Sequence, residues 1–349
     1  MLAEIRNANS YVLLEMYLFE SGDVANRFIK VLTDAVARNI TVCLLLDDYG
    51  SQHLLEEDRE ILIAAGVLLV FYNPLSFRKF RGNISRDHRK ILIIDGKITF
   101  VGGAGIADEF ETSESAPYFW RDNMLKITGP NVADWQKVFL ESWHHCQTQT
   151  LNLPMPEIRV NQGSPRGRVR VNYPPLRTEG KKSLLNQIRK AKQRVWITTA
   201  YFVPTWKLRR ALRRAAKKGL DVRLLLPGRN TDHAWVRQLG QREYARLLRH
   251  GIRIFEYQSG FTHSKVALCD SWAMLGSSNM DRWNLRWNLE ADQEVEDSAF
   301  ADEVALMMQS DFSNSIEINH EIWRQRSRFK RFREWIAGKI AALLQYFSG

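Results

Sequence analysis

Two stretches of this sequence pair an imidazole with an ammonium two positions on: His88-Arg89-Lys90, with Asp95 beyond, and His263-Ser264-Lys265, with Asp270 beyond. Both spell HxKxxxxD. An imidazole can attack phosphorus or carry a proton at neutral pH, because its unperturbed pKa lies near about 6.5. A neighbouring ammonium offsets the charge on non-bridging phosphate oxygens. One His-x-Lys is a weak signal, but two copies of the whole pattern in one chain are hard to reach by accident. Read as strands, alternation places His263, Lys265 and Ala267 on one face.

Cleaving a phosphodiester demands a nucleophile, a proton donor for the departing alkoxide and positive charge around the phosphate. His88 and His263 supply the first two, and Lys90 and Lys265 the third. No metal or other cofactor is needed, and no ligand cluster suggests one. Each ring also needs an acceptor on its far nitrogen to fix its tautomer. Asp122, in WRDNML, follows His88, and Glu290, in WNLEAD, follows His263 at a similar interval. Either alone reads as a surface carboxylate; their matching places favour a histidine-orienting role. Asp95 and Asp270 lie at the far strand ends and brace the turn or the boundary between halves. Gly102-Gly103 and Gly276-Ser277-Ser278-Asn279 permit close approach, with Ser277 and Asn279 offering hydrogen bonds to phosphate or to the catalytic side chains. The remaining histidines, His53, His144, His145, His233, His250 and His320, read as surface or helix-end residues.

The elements that position these groups follow from periodicity. Residues 1–9 read as a helix, Tyr11 to Tyr17 as a buried strand and Asp23 to Arg38 as an amphipathic helix. Ile40 to Leu46 is a strand, Asp58 to Ala65 a helix closed by Gly66, and Val67 to Tyr72 a strand. After the first motif come a hairpin to Val101, a strand from Met124 to Ile127 and a helix from Val132 to His145. Helices alternating with apolar strands imply α/β layers around a sheet. The chain then repeats itself: LLNQIRKAKQRVWITTAYFVP (184–204) lies over MLAEIRNANSYVLLEMYLFES, AAKKGLDVRLLLPG over AVARNITVCLLLDD, and LLRHGIRIFEY over LIAAGVLLVFY. A duplicated unit carries one half-site per copy, and pseudo-two-fold packing would bring the half-sites together.

The 349 residues, 45% hydrophobic and 26% charged, exclude a disordered chain and suggest about two domains. A formal charge of +11 favours anionic partners. Cys43, Cys146 and Cys269 are odd in number and dispersed, as expected of reduced thiols in a cytoplasmic setting. The longest apolar run, Ile61 to Phe71, is too short for a bilayer and is broken by Gly66. No signal-peptide pattern opens the chain, and the uncapped start implies residues upstream. Three segments are cationic: the aromatic and basic connector Ser76 to Asp87, the helix KLRRALRRAAKK (207–218), and an amphipathic stretch from Ile322 to Phe347. Each suits solvent or core packing as well as an anionic membrane surface.

Taken together these residues resemble the phospholipase D superfamily over nearly the whole chain. Within it, AYFVP, LLPGRNTDHAWVR, FTHSKVALCD and GSSNMDRWNLRWNLEAD are similar to bacterial cardiolipin synthases of the short type without amino-terminal transmembrane helices. The resemblance implies two tandem α/β/α sandwich domains with pseudo-two-fold symmetry and one active site at their interface. Residues 1–146 form the first domain, without the family's first strand; 147–168 form a linker, 169–318 the second domain, and 319–349 a basic amphipathic helix. It implies a ping-pong phosphatidyl transfer through phosphohistidine, with His88, Lys90, His263 and Lys265 carrying the chemistry. Asp95 and Asp270 complete the motifs, and Asp122 and Glu290 orient the rings. Expected partners are anionic phospholipids, with phosphatidylglycerol as substrate and phosphatidylethanolamine as a possible donor, at the cytoplasmic face of a bacterial inner membrane. No nucleic acid is expected, although a nuclease is the competing enzymatic reading and a non-catalytic membrane scaffold the third. In one departure, the first motif ends in Gly102-Gly103-Ala104-Gly105 where the family has Asn at the last position.

Overall fold

The computed structural model describes residues 1–76, 83–111, 119–147, 150–154, 156, 165–173, 177–281 and 287–325. Half of the connector before the first motif, much of the expected linker and the amphipathic stretch beyond 325 lie outside them. Packing divides the chain into two compact units. One comprises residues 1–180, 275–278 and 285–295; the other comprises 181–274, 279–284 and 296–349.

In the first unit β1 (Tyr11–Met16), β2 (Thr41–Asp47) and β3 (Leu68–Tyr72) run parallel. β4 (Lys90–Ile94), β5 (Ile98–Gly102) and the strand Met124–Thr128 continue the sheet antiparallel, in the order β3-β2-β1-β4-β5 and then Met124–Thr128. β1 sits at the centre and is buried along its whole length, which is why YVLLEM reads as a continuous rather than an alternating run. Helices α1 (Leu2–Arg6), α2 (Asp23–Ala37) and α3 (Glu56–Ala64) precede or link these strands. On one face α2 inserts Phe28, Val31, Leu32 and Ala35 among Val12, Leu14, Leu44 and Leu92. On the other, α4 (Asn131–Cys146) packs Trp135, Phe139 and Trp143 over Leu13, Leu45, Ile91 and Ile93. The result is an α/β/α sandwich.

The second unit repeats that order. Strands Arg194–Thr198, Asp221–Pro227 and Arg253–Tyr257 are parallel, and Val266–Cys269 joins Arg194–Thr198 antiparallel. α5 (Glu179–Lys190), α6 (Trp206–Lys217) and α7 (Ala234–Leu248) supply Leu184, Ile188, Leu208, Leu212, Tyr244 and Leu247 to one face. The helix Ser298–Ser313 covers the other, where Phe312 meets Trp196 at 5.4 Å and Phe255 at 4.7 Å between ring centroids. Among the described residues no helix is long and apolar enough to cross a membrane.

The packing boundary does not follow the repeat boundary. Residues 285–295 belong in sequence to the second copy but pack with the first unit, where Leu289 bridges Asp87 and Trp135 Nε1 donates to Gln293 Oε1 at 2.8 Å.

Candidate active site

Both motifs are built alike, and neither histidine lies inside a strand. β4 begins at Lys90, so His88 precedes it. In the second copy the expected continuous strand is broken: Phe261–Thr262 and Val266–Cys269 are strands, and His263, Ser264 and Lys265 fall between them. The break releases the lysine from strict alternation and lets it fold back on its own motif. Lys90 Nζ donates to the His88 carbonyl at 2.6 Å, and Lys265 Nζ donates to the His263 carbonyl and lies 2.7 Å from His263 Nδ1. His88 and His263 are 7% and 6% exposed, Lys90 and Lys265 2% and 3%. Burial at that level strengthens charge interactions.

At the far end of each strand the aspartate holds backbone amides. Asp95 and Asp270 both have φ of 53°, a left-handed conformation that Asp tolerates better than most residues. The Asp95 carboxylate accepts from the backbone amides of Asn9, Ser10 and Tyr11 at 2.8–3.0 Å. Asp270 accepts from those of Lys192, Gln193 and Arg194 at 2.7–3.0 Å. Each pins the start of the central strand of its unit. In both copies the carboxylate thus braces the chain at the opposite strand end from the imidazole.

The carboxylate on His88 is the one that chain order assigns to His263. Both carboxylate oxygens of Glu290 lie 3.1 Å from His88 Nδ1, and Glu290 is fully buried. Backbone pairing explains the placement: His88 N donates to Leu289 O at 3.0 Å, and Leu289 N donates to Arg86 O at 2.8 Å, which sets Glu290 beside the ring. Asp122 follows the short strand Trp120–Arg121 and accepts from the amide of Asn123 at 2.7 Å.

The small residues serve close approach. A Cβ on Gly102 would fall 2.1 Å from Asn123 O, and one on Gly103 would fall 2.4 Å from the Asp122 carboxylate. Gly276 stands likewise against Ala291 O and Asp292. The Ser277 hydroxyl accepts from Ala291 N at 3.0 Å and donates to Ala291 O at 3.3 Å, so it is a backbone clasp in this structure. Asn279 differs: it is completely buried, and neither its carboxamide oxygen nor its nitrogen has a hydrogen-bond partner among the described residues.

Sequence reading missed a set of supporting groups. Arg89, between the two residues of its motif, is fully buried and its Nε lies 2.9 Å from Asp87 and 3.0 Å from Glu15. Burial pushes the Glu15 carboxyl up, against the pull of the Arg89 guanidinium. Asp47 accepts from the amides of Tyr49, Gly50 and Asp87 at 2.8–3.0 Å, and burial lifts its carboxyl to about 7. The Tyr17 ring lies 4.7 Å from His88 between centroids, with Lys90 Nζ 5.0 Å above it. In the second unit Tyr201 meets His263 edge-on at 6.5 Å and His233 at 5.7 Å, and His233 continues to Trp235 at 6.4 Å. His233 stands at the start of α7, as expected of a helix-end residue, without a side-chain capping bond, and it also extends this aromatic row. Tyrosine after an apolar strand was a usable signal for both rings; nothing local announced Glu15, Asp47 or the partner of Glu290.

A buried imidazole beside a buried ammonium, present twice, with a carboxylate on one ring, can bind a phosphate, attack it and move a proton. A cardiolipin synthase of Alkalihalophilus pseudofirmus is 30% identical over 349 residues, covering 98% of this chain and 69% of that protein. A cardiolipin synthase A of Pseudomonas fluorescens is 32% identical over 343 residues, covering 97% and 71%. Among solved structures, phosphatidylserine synthase of Haemophilus influenzae superposes with a TM-score of 0.75 at 12% identity, over 99% of this chain and 90% of that one, a likeness of fold. Residues 1–143 and 184–312 match the family described as cardiolipin synthase, PLD-like domain. Those spans carry both histidine-lysine motifs and both copies of the sandwich, and on them the chain belongs to the cardiolipin synthase family of phospholipase D-like proteins.

Proposed function

We propose that this chain is a phosphatidyltransferase that makes cardiolipin or a close relative from phosphatidylglycerol. One histidine of the pair His88 and His263 attacks the phosphorus of a phospholipid, forming a P–N bond as the P–O bond to the headgroup alcohol breaks. The other, protonated, gives its proton to the departing alkoxide. It then takes a proton from a hydroxyl of phosphatidylglycerol, whose oxygen attacks the phosphohistidine and restores the free imidazole. Lys90 and Lys265 hold the non-bridging oxygens, and Glu290 keeps His88 in one tautomer and stabilises its imidazolium. Asn279 is assigned a phosphate oxygen, which would give its buried carboxamide a partner.

The observation that carries this reading is the duplication of a buried His–Lys pair in a chain of the cardiolipin synthase family. The substrates place the protein at a membrane surface, and the three free cysteines accord with the reducing cytoplasmic side. Mass spectrometry of lipids after incubation with phosphatidylglycerol, alone or with phosphatidylethanolamine, tests it. Wild type should yield cardiolipin and His263→Ala none. Neither cardiolipin nor phosphatidic acid from wild type would refute the proposal, and nicking of plasmid DNA in its place would favour the nuclease.

A further inference from the structure

Helix α6 buries Leu208, Ala211, Leu212 and Ala215 against the core of its unit. On the opposite side, positions 206, 210, 213 and 217 recur every three or four residues and so form one stripe. They are Trp206, Arg210, Arg213 and Lys217, with Arg214 alongside, and the helix contains no acidic residue. Like charges four apart, Arg210 with Arg214 and Arg213 with Lys217, destabilise a helix.

Helix α2 occupies the same place in the first repeat and shows what solubility alone requires. Its outer residues Asp23, Arg27, Lys30 and Asp34 mix signs. Lys30 pairs with Asp34 at 3.0 Å and Arg27 pairs with Glu111. The excess on α6 is therefore not a demand of the fold.

That excess lines a groove of about 370 Å³ between α6 and Arg246 of α7. The acid beside it, Glu243, is held by Arg209 and lies 4.0 Å from Arg246. Arg213 Nε is buried with no hydrogen-bond partner among the described residues. Trp206, 57% exposed, opens the helix, with the Arg210 guanidinium 5.0 Å from its ring centroid. A large ring with one polar N–H suits the boundary between headgroups and acyl chains.

We propose that this face of α6 docks the protein on an anionic phospholipid bilayer. Trp206 enters the headgroup layer, and Arg210, Arg213, Arg214 and Lys217 engage lipid phosphates along a straight stripe about 11 Å long. A bilayer accounts for the single aromatic at one end, whereas single-stranded nucleic acid is gripped by several aromatic rings along its path. The inference rests on the lipid-directed reading above but concerns binding, not turnover.

The test uses the His263→Ala chain as parent, so that no product forms, in co-sedimentation with vesicles of phosphatidylcholine alone or with phosphatidylglycerol added. The parent should bind the phosphatidylglycerol vesicles. Arg210→Glu with Arg214→Glu should weaken that binding at least tenfold, since each basic side chain near an anionic leaflet contributes about fivefold. Circular dichroism and melting verify the fold. Should the reversed pair fail to fold, Arg210→Gln with Arg214→Gln is read in the same assay, with a loss of about fivefold or more expected. A parent that ignores the vesicles, or variants that bind them as the parent does, would each overturn the proposal. Failure of the transfer reaction would appear separately, as absence of product from wild type.

Discussion

Replacing Glu290 by Gln keeps an oxygen in reach of His88 but removes the negative charge. Both carboxylate oxygens stand 3.1 Å from Nδ1 in a fully buried setting. A hydrogen bond to a charged group contributes about 1.5–3 kcal/mol. If that stabilisation is expressed when His88 is protonated, kcat/KM should fall about tenfold to 150-fold. The imidazolium also loses its anionic partner, so less of it survives at a given pH and the alkaline limb of the rate profile should move to lower pH. The assay is cardiolipin formation from phosphatidylglycerol in mixed micelles across pH 5 to about 9, with melting temperature as the check on folding. A folded Glu290→Gln enzyme with activity within about twofold of wild type and an unshifted profile would refute the assigned role.

Asp270→Ala strips the acceptor from three backbone amides and should cost about 3 kcal/mol in denaturant unfolding, with the turnover of the folded fraction nearly unchanged. A large loss of turnover without loss of stability would show instead that Asp270 takes part in the chemistry. Asn279→Ala should do the reverse: its carboxamide has no partner to lose among the described residues, so melting should hold while kcat/KM falls at least about tenfold. Burial pushes the Asp292 carboxyl up to about 7 from its ordinary 3.8, outweighing the bonds from Ser278. The folded state thus keeps a proton that the unfolded chain releases, and stability is lost as pH rises from about 4 to about 7, by up to roughly 4 kcal/mol. Asp292→Asn should flatten that slope in urea titrations at pH 5 and 8, and an unchanged slope would contradict the assignment.

Much of this was legible because the repeat wrote it twice. The order of helix and strand through each copy followed from apolar runs such as TVCLLLD and DVRLLLP, which can only be central strands of a covered sheet. The motif residues were legible as chemistry, but their local conformation was not. Alternation put His263 on a strand, whereas the chain breaks there, and the lysine that folds back on the His263 carbonyl is the visible result. Glu290 was legible as an orienting acid and illegible as the partner of His88, because the neighbouring Leu289 pairs with the backbone of Arg86 and His88, some two hundred positions earlier. Arg89 read as the variable residue of its motif; only the buried Glu15 and Asp87 reveal why a charge can sit there. The basic face of α6 was visible as charge, and it gained meaning from the mixed signs that α2 carries in the same place.

The central claim is that a histidine of this chain carries the phosphatidyl group between two alcohols. Rapid acid-free quenching with phosphatidylglycerol, followed by peptide mass spectrometry, measures it most directly. A phosphatidyl adduct on the peptide of His88 or His263, formed within the time of one turnover and absent from the His88→Ala, His263→Ala double variant, is the expected result. Cardiolipin produced at wild-type rate by that double variant would contradict the account outright.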